Sequence, residues 1–148
     1  MMIGMRRPCL IFFRLPWRSK RLALQCALIL PVTYAGLELL GLRAFLNVMD
    51  RLTSVAPKPS EYSPEEARRH TQLFSAVTER FPLPMKCLGR SLALCWLLRW
   101  HGADAAIHIG VRKGNRGLDA HAWVQIGDLV MNDSEDVTER YTRLSLSY

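Results

Sequence analysis

The sequence predicts an α+β fold, in which helices come first and a small antiparallel sheet follows. Apolar residues recur at helical spacing over residues 22–52 and again over residues 63–101. Over residues 106–131 the apolar period changes to two, which is typical of half-buried strands. A chain of 148 residues suits one domain with a short appendage. We therefore expect an N-terminal basic arm and apolar helical region over residues 1–56, and a core over residues 57–148.

The N-terminal region begins with a basic segment, residues 1–21, which we expect to be an irregular arm. The most apolar stretch, residues 22–42, follows and is long enough to span a bilayer. Pro31 and Glu38 interrupt it, and a charged side chain is costly in the centre of a membrane. We expect two short helices, broken near Pro31, that pack on the domain or on a partner. Peripheral or spanning membrane contact through this stretch stays open. A signal peptide is not expected, because no small-residue cleavage site follows soon after the stretch.

The first helix of the core has a clear start signal, after the Pro- and Ser-rich segment that separates the core from the N-terminal region. Ser63 is a good N-cap, Pro64 suits the first helical position, and Glu66 completes a capping box. The helix is expected to run to about Arg80, because the two prolines in residues 81–84 force the chain to extend.

A second helix is expected over residues 86–101, ended by Gly102 in the C-terminal capping position. It is apolar on most sides, so it should lie buried in the centre of the fold. Cys87 occupies its first turn, where free N–H groups and the helix dipole favour a thiolate, the form of cysteine that attacks a carbonyl. Cys95, in the middle of the same helix, is expected to be an inert core residue.

Three strands are expected after this helix. Residues 106–112 alternate between apolar and polar side chains, residues 114–117 form a turn, and residues 118–126 form the second strand. Gly127-Asp128 is a second turn, and residues 129–131 are a short third strand. The tail beyond them carries no clear structural signal.

His121 lies in the second strand between two alanines that leave space around it. Because alternate residues of a strand share one face, Trp123 lies beside it and can shield it from water. A cysteine at a helix start and a histidine in a nearby strand are two of the three parts of a nucleophilic site. Either residue alone is usually structural, and it is their combination that indicates catalysis.

The third part is a residue that orients the imidazole, and the pattern alone leaves two candidates. If Gly127-Asp128 is a two-residue turn, His121 lies opposite Ser134 and shares a strand face with Asn132. A one-residue bulge would instead bring Asp133 opposite His121. Asn132 and Asp133 are therefore close to equally favoured at this point.

Composition and charge argue against several classes of function. The net charge is +7, but the basic residues beyond the N-terminal arm alternate with acidic ones and no nucleic-acid-binding motif occurs. The four cysteines form no CxxC pair, and no histidine stands at metal-ligand spacing from a cysteine pair, so neither a metal nor a cofactor is expected. Without a convincing signal peptide, the expected compartment is the reducing cytoplasm.

Two segments resemble the protease domain of lasso-peptide biosynthesis B proteins, which belong to the transglutaminase-like cysteine protease superfamily. They are Cys-Leu-x-Arg-Ser-Leu-Ala-Leu from Cys87 and Ala-His-Ala-Trp-Val around His121. The resemblance covers residues 60–145 and implies a papain/transglutaminase-like core, in which the helix with the cysteine packs on an antiparallel meander. It implies Cys87 as nucleophile, His121 as base and Asp133 as the orienting acid, and with Asp133 a bulge or a wider turn.

The resemblance also implies a function, that of a leader peptidase which removes the leader from a ribosomally made lasso-peptide precursor. In this family an ATP-dependent macrolactam cyclase then closes the ring. Fused members carry a winged-helix leader-recognition domain before the protease, whereas the region before the core here has the pattern of apolar helix after its basic arm, and not that of small strands plus helices. The chain is therefore expected to be the stand-alone protease half of a split system, working with a separate leader-recognition protein.

Two other functions stay open. A transglutaminase-like acyl transferase would use the same three residues, with an amine instead of water accepting the acyl group. A non-enzymatic, membrane-associated scaffold would hold the cysteine and the histidine as structural residues.

Overall fold

The computed structural model describes residues 16–54, 62–115 and 117–145. Most of the expected basic arm, most of the Pro- and Ser-rich segment and part of the first predicted turn lie outside these ranges. The described residues form α1 (Trp17–Ser54), α2 (Pro64–Thr78), α3 (Cys87–Trp100), β1 (Ala105–Gly114), β2 (Gly117–Ile126), β3 (Leu129–Val130), α4 (Val137–Arg140) and β4 (Thr142–Arg143).

The strands form one antiparallel sheet in the order β3-β2-β1-β4. β1 and β2 pair along their whole length, from Ala105 opposite Ile126 to Gly114 opposite Gly117. β3 follows a tight turn and pairs Leu129 with Ile126. The α+β class and the three predicted strands are therefore confirmed.

The two helices predicted for the core are present, and α3 lies at its centre. In α2 the Ser63 hydroxyl accepts the Glu66 N–H at 3.2 Å, and the Ser63 N–H donates to the Glu66 carboxylate at 3.3 Å, which is the predicted capping box. α3 contacts α1, α2, β1 and β2. Its fully buried apolar residues are Leu92, Ala93, Leu94, Cys95, Leu97 and Leu98.

α1 differs from the prediction in where it starts and where it bends. It begins at Trp17, inside the segment expected to be irregular, and it continues through Pro31, so the expected break there is wrong. The bend comes at Gly41, whose φ of 76° and ψ of 168° lie outside the helical region. Glycine adopts such a backbone at little cost. Leu30 and Thr33, both fully buried, hold the helix against the core around the proline.

The bend at Gly41 folds the second part of α1 back toward the first. Phe45 packs against Gly36, where a Cβ atom would lie 2.5 Å from Cδ2 of the Phe45 ring. In a straight helix nine residues would separate the two positions by about 13.5 Å along the axis. The contact therefore depends on the reversal of direction, and it leaves no room for a side chain at Gly36.

The segment after β3 carries structure that the sequence analysis did not predict. Val124 belongs to the core around α3, and neighbouring residues of a strand face opposite sides, so Trp123 faces away from α3. Val137 and Tyr141 are buried against Trp123 on that second face. Gly110 makes this packing possible, because a Cβ there would lie 2.9 Å from Cβ of Tyr141 and 3.0 Å from the Trp123 ring. The tail thus covers the outer face of the sheet.

Candidate active site

Cys87 is the first residue of α3 and is exposed to solvent as a free thiol. Lys86 precedes it in an extended conformation and makes no side-chain capping bond. The N–H groups of the first helical turn are therefore left for another acceptor. A helix start of this kind favours negative charge, both on a thiolate and on an oxyanion that forms beside it.

The other two cysteines of the described residues are unsuited to this chemistry. Cys26 and Cys95 are buried, and burial raises the pKa of Cys26 to about 12 and that of Cys95 to about 11. Cys95 also donates a hydrogen bond to the Ala105 carbonyl at 3.5 Å. Because a buried, protonated thiol is a poor nucleophile, Cys87 is the candidate within the described ranges.

His121 projects from β2 on the same face as Trp123, as the strand alternation predicted. The two rings are nearly parallel, at 20°, with centroids 6.4 Å apart. The Tyr141 ring lies closer, at 5.1 Å from the imidazole, and the sequence analysis did not predict this contact. Two aromatic rings therefore confine the imidazole on one side of the strand.

Asp133 is the residue that holds the imidazole. Its Oδ2 forms a hydrogen bond with Nε2 of His121, and its Oδ1 accepts from the Ser134 N–H at 2.7 Å and from Arg140 at 3.0 Å. Partial burial acts to raise the pKa of Asp133, but hydrogen bonds from His121 and Ser134 outweigh it and leave this pKa below its ordinary value. Asp133 is therefore a carboxylate at neutral pH, and because a carboxylate only accepts hydrogen bonds, Nε2 is the nitrogen of His121 that donates the proton to this bond.

The route by which Asp133 reaches His121 differs from the prediction. Gly127-Asp128 is a two-residue turn that pairs Ile126 with Leu129, so the expected bulge or wider turn is wrong. The ladder of β3 instead ends after two residues, and the chain leaves the sheet. Strand pairing therefore does not decide which side chain faces His121, and Asp133 approaches it from a segment outside the sheet.

Asn132, the other candidate, links the strand to α3. Its Oδ1 accepts the Val124 N–H at 2.8 Å, where a continuing strand would have placed a backbone carbonyl. Its Nδ2 donates to the hydroxyl of Ser91 at 2.8 Å, and the fully buried Ser91 donates in turn to the Ala122 carbonyl at 2.8 Å. Ser91 lies one helical turn beyond Cys87. The bonds of Asn132 therefore tie the helix of the thiol to the strand of the imidazole.

Cys87 and His121 line one cleft of about 380 Å³, and Arg90 also lines it. Within the described residues, no hydrogen bond joins the Cys87 thiol to the imidazole, and Nδ1 of His121 has no hydrogen-bond partner. Since Asp133 occupies Nε2, Nδ1 is the nitrogen left to exchange a proton with the thiol. Catalytic hydrogen bonds of this kind often tighten only when substrate is bound.

The sequence matches the family model described as the transglutaminase-like superfamily over residues 27–146. This span begins within α1 and includes every described helix and strand from α2 onward. No curated protein and no solved structure matches the chain. The match crosses the division expected between residues 56 and 57, which stays a prediction.

Proposed function

This chain belongs to the transglutaminase-like superfamily, and we propose that it is a cysteine peptidase with Cys87 as nucleophile, His121 as general base and Asp133 as the group that orients the base. One observation carries the proposal. The exposed thiol at an uncapped helix start shares a cleft with an imidazole whose Nε2 is held by a carboxylate. These are the three parts that nucleophilic catalysis at a carbonyl requires.

In the first step, Nδ1 of His121 takes the proton of the Cys87 thiol, and the sulfur attacks the carbonyl carbon of the scissile peptide bond. Negative charge moves to the carbonyl oxygen, where the free N–H groups at the start of α3 stabilise it. The imidazolium that forms is stabilised by Asp133, whose lowered pKa keeps it charged.

In the second step, the C–N bond breaks and the His121 imidazolium donates its proton to the departing amine. The acyl group stays on Cys87 as a thioester. A water molecule then gives a proton to His121 and adds to the thioester carbonyl. The C–S bond breaks, the new carboxylic acid leaves, and the proton on His121 returns the cysteine to its starting state.

The substrate that we propose is the leader–core precursor of a ribosomally made lasso peptide, cut at the junction between leader and core. Support comes from the Cys-Leu-x-Arg-Ser-Leu-Ala-Leu and Ala-His-Ala-Trp-Val segments, which contain Cys87 and His121. A separate leader-recognition protein then delivers the precursor, and an ATP-dependent macrolactam cyclase acts on the released core. The proposed compartment is the cytoplasm, where the free thiol of Cys87 stays reduced.

The test is incubation of a leader–core peptide with this protein and the leader-recognition protein, followed by mass spectrometry. Wild type and the control Cys95→Ala should release a leader and a core whose summed mass exceeds that of the precursor by one water. Cys87→Ala should release neither. Equal cleavage by Cys87→Ala would overturn the assignment. A product joined to an amine, without added water, would establish an acyl transferase instead.

A further inference from the structure

The first part of α1, before the bend at Gly41, exposes an apolar stripe along one side of the helix. Its members follow one another at spacings of three, four or seven residues, and they are Trp17, Leu24, Leu28, Val32, Ala35 and Leu39. The exposed fraction is 50% at Val32 and rises to 82% at Leu39. Trp100 of α3, 49% exposed, widens the stripe, because it forms an apolar groove with Leu28 and Val32. A surface of this extent on a folded protein usually has an occupant.

The opposite side of the same helix belongs to the core. Leu22 is 6% exposed, and Cys26 and Leu30 are fully buried, because α1 packs against α2 and α3. Among the described helices, α1 is the one with the length and composition to cross a membrane, a property shared by core helices and signal sequences. If α1 crossed a membrane, its buried side would lose its contacts with α2 and α3. The stripe can therefore lie against a partner while the core stays intact.

Positive charge is concentrated in the same part of the chain. Residues 1–40, up to the bend, contain six basic and one acidic side chain, a formal net charge of +5, whereas residues 41–148 contain fourteen basic and twelve acidic ones, a net charge of +2. Arg18 and Arg21 are exposed in the first two turns of α1, beside Trp17. This asymmetry favours a negatively charged occupant of the stripe.

We infer that the apolar stripe rests on the surface of a membrane that contains anionic lipids, with the first part of α1 parallel to the bilayer. An apolar helix face with basic residues at its end is the arrangement of interfacial helices, and tryptophan is enriched at membrane interfaces. From Trp17 to Leu39 the stripe is about 33 Å long. A protein partner would need an apolar groove of that length with acidic residues at one end. A lipid surface supplies apolar depth and negative charge without a matching shape.

This inference is independent of the proposed peptidase function, and its test needs no substrate. The full chain is floated with vesicles of phosphatidylcholine alone, or with vesicles in which about one third is phosphatidylglycerol. Binding to the anionic vesicles should be at least about tenfold stronger and should weaken as salt is added. The double variant Leu24→Glu/Leu28→Glu should lose at least about tenfold of that binding, because it places two charges on the apolar stripe.

Leu52→Glu is the matched control, since Leu52 is 46% exposed on the same helix but beyond the bend. It should bind vesicles like the wild type, and circular dichroism should show the same helicity for all three proteins. No vesicle binding by the wild type, equal binding to both kinds of vesicle, or undiminished binding by the double variant would each overturn the inference. Sedimentation velocity without lipid tests whether a second copy of this chain covers the stripe instead. A wild-type dimer that the double variant converts to a monomer would assign the stripe to a second copy of this chain.

Discussion

Asn132 donates a hydrogen bond of 2.8 Å to the hydroxyl of Ser91, and this bond joins the two halves of the candidate active site. Ser91 lies one turn after Cys87 on α3, and its hydroxyl donates a hydrogen bond to the carbonyl of Ala122, the residue that follows His121. A chain of polar contacts through the fully buried Ser91 therefore joins the helix of the thiol to the strand of the imidazole.

Replacement of Ser91 by alanine should affect both stability and reactivity. The Ala122 carbonyl and the Asn132 amide each lose a buried partner, which costs about 1–3 kcal/mol in the free energy of unfolding. Urea denaturation measures that change. The alkylation of Cys87 by iodoacetamide, followed against pH with mass spectrometry, should also slow at neutral pH. Ser54→Ala is the control, because the exposed Ser54 hydroxyl donates to the Asp50 carbonyl of its own helix, away from the candidate site. An unchanged alkylation profile in Ser91→Ala would mean that the Asn132–Ser91 bond contributes to stability but does not affect the reactivity of Cys87.

Asp133 should tolerate asparagine better than alanine. Asparagine keeps an oxygen that accepts the Nε2–H of His121, as in the Cys-His-Asn arrangement of papain-like enzymes. Alanine leaves the ring free to turn, so kcat for peptide cleavage should fall by about 10²- to 10⁴-fold, while Asp133→Asn should retain a larger share. Steady-state kinetics on both variants decides the matter. Equal losses would mean that the charge of Asp133, and not its geometry, is what the imidazole needs.

The His70–His101 pair should make the protein sensitive to moderate acid. The two rings lie 4.6 Å apart, and burial together with the charge of His101 lowers the pKa of His70 to about 4. Burial, aided by Arg21, also lowers the pKa of His101. Below about pH 6.5, the pKa of histidine in the unfolded chain, these two side chains bind protons in the unfolded state but not in the folded state. The stabilisation is thus present above that pH and is lost as pH falls toward about 4.

Urea unfolding at several pH values between about 7 and 4 measures this loss. His70→Gln should flatten the dependence, because glutamine does not titrate and its side-chain oxygen can still accept the Tyr62 hydroxyl that bonds His70. A variant whose stability falls as steeply as that of the wild type would place the acid sensitivity elsewhere.

Gly36→Ala should destabilise the protein, although glycine to alanine normally stabilises a helix by about 1 kcal/mol. The new Cβ would lie 2.5 Å from the Phe45 ring, and the displaced ring would disturb its edge-on contact with Trp96. We expect a loss of about 1–3 kcal/mol in urea denaturation. The double variant Gly36→Ala/Phe45→Leu should lose less free energy of unfolding than the two single variants lose together, because the smaller side chain relieves the clash. If the two losses in free energy of unfolding were strictly additive, Gly36 and Phe45 would not be in the close contact described.

Features set by neighbouring residues were predictable from the sequence. The capping box of α2 is contained in Ser63, Pro64 and Glu66, so a few consecutive residues specify it. A turn at Gly127-Asp128 was likewise predicted from these two residues, although its two-residue length contradicts the bulge or wider turn that was expected with Asp133. The position of Cys87 at the start of α3 follows from the residues around it in the same way.

Features set by contacts between distant residues were not predictable. Asp133 meets His121 because Asn132 ends the ladder, and Asn132 is held there by Ser91, 41 residues earlier. α1 continues through Pro31, where Leu30 and Thr33 are buried in the core, and its backbone leaves the helical region at Gly41, which propensity alone could not indicate. No local pattern marks Tyr141 either, since the rings that it contacts, His121 and Trp123, lie on β2.

Arg140 and Tyr141, which contact Asp133 and His121, are synthesised well after Cys87. A growing chain exposes its reactive thiol before the residues that support the base have left the ribosome. A chain interrupted before Arg140, by stalled translation or by a proteolytic cut, keeps Cys87, His121 and Asp133 but lacks the contacts that Arg140 makes with Asp133 and Tyr141 makes with His121. In the proposed peptidase, the nucleophile would therefore exist before the contacts of Arg140 and Tyr141, and the complete site would form only at the end of synthesis.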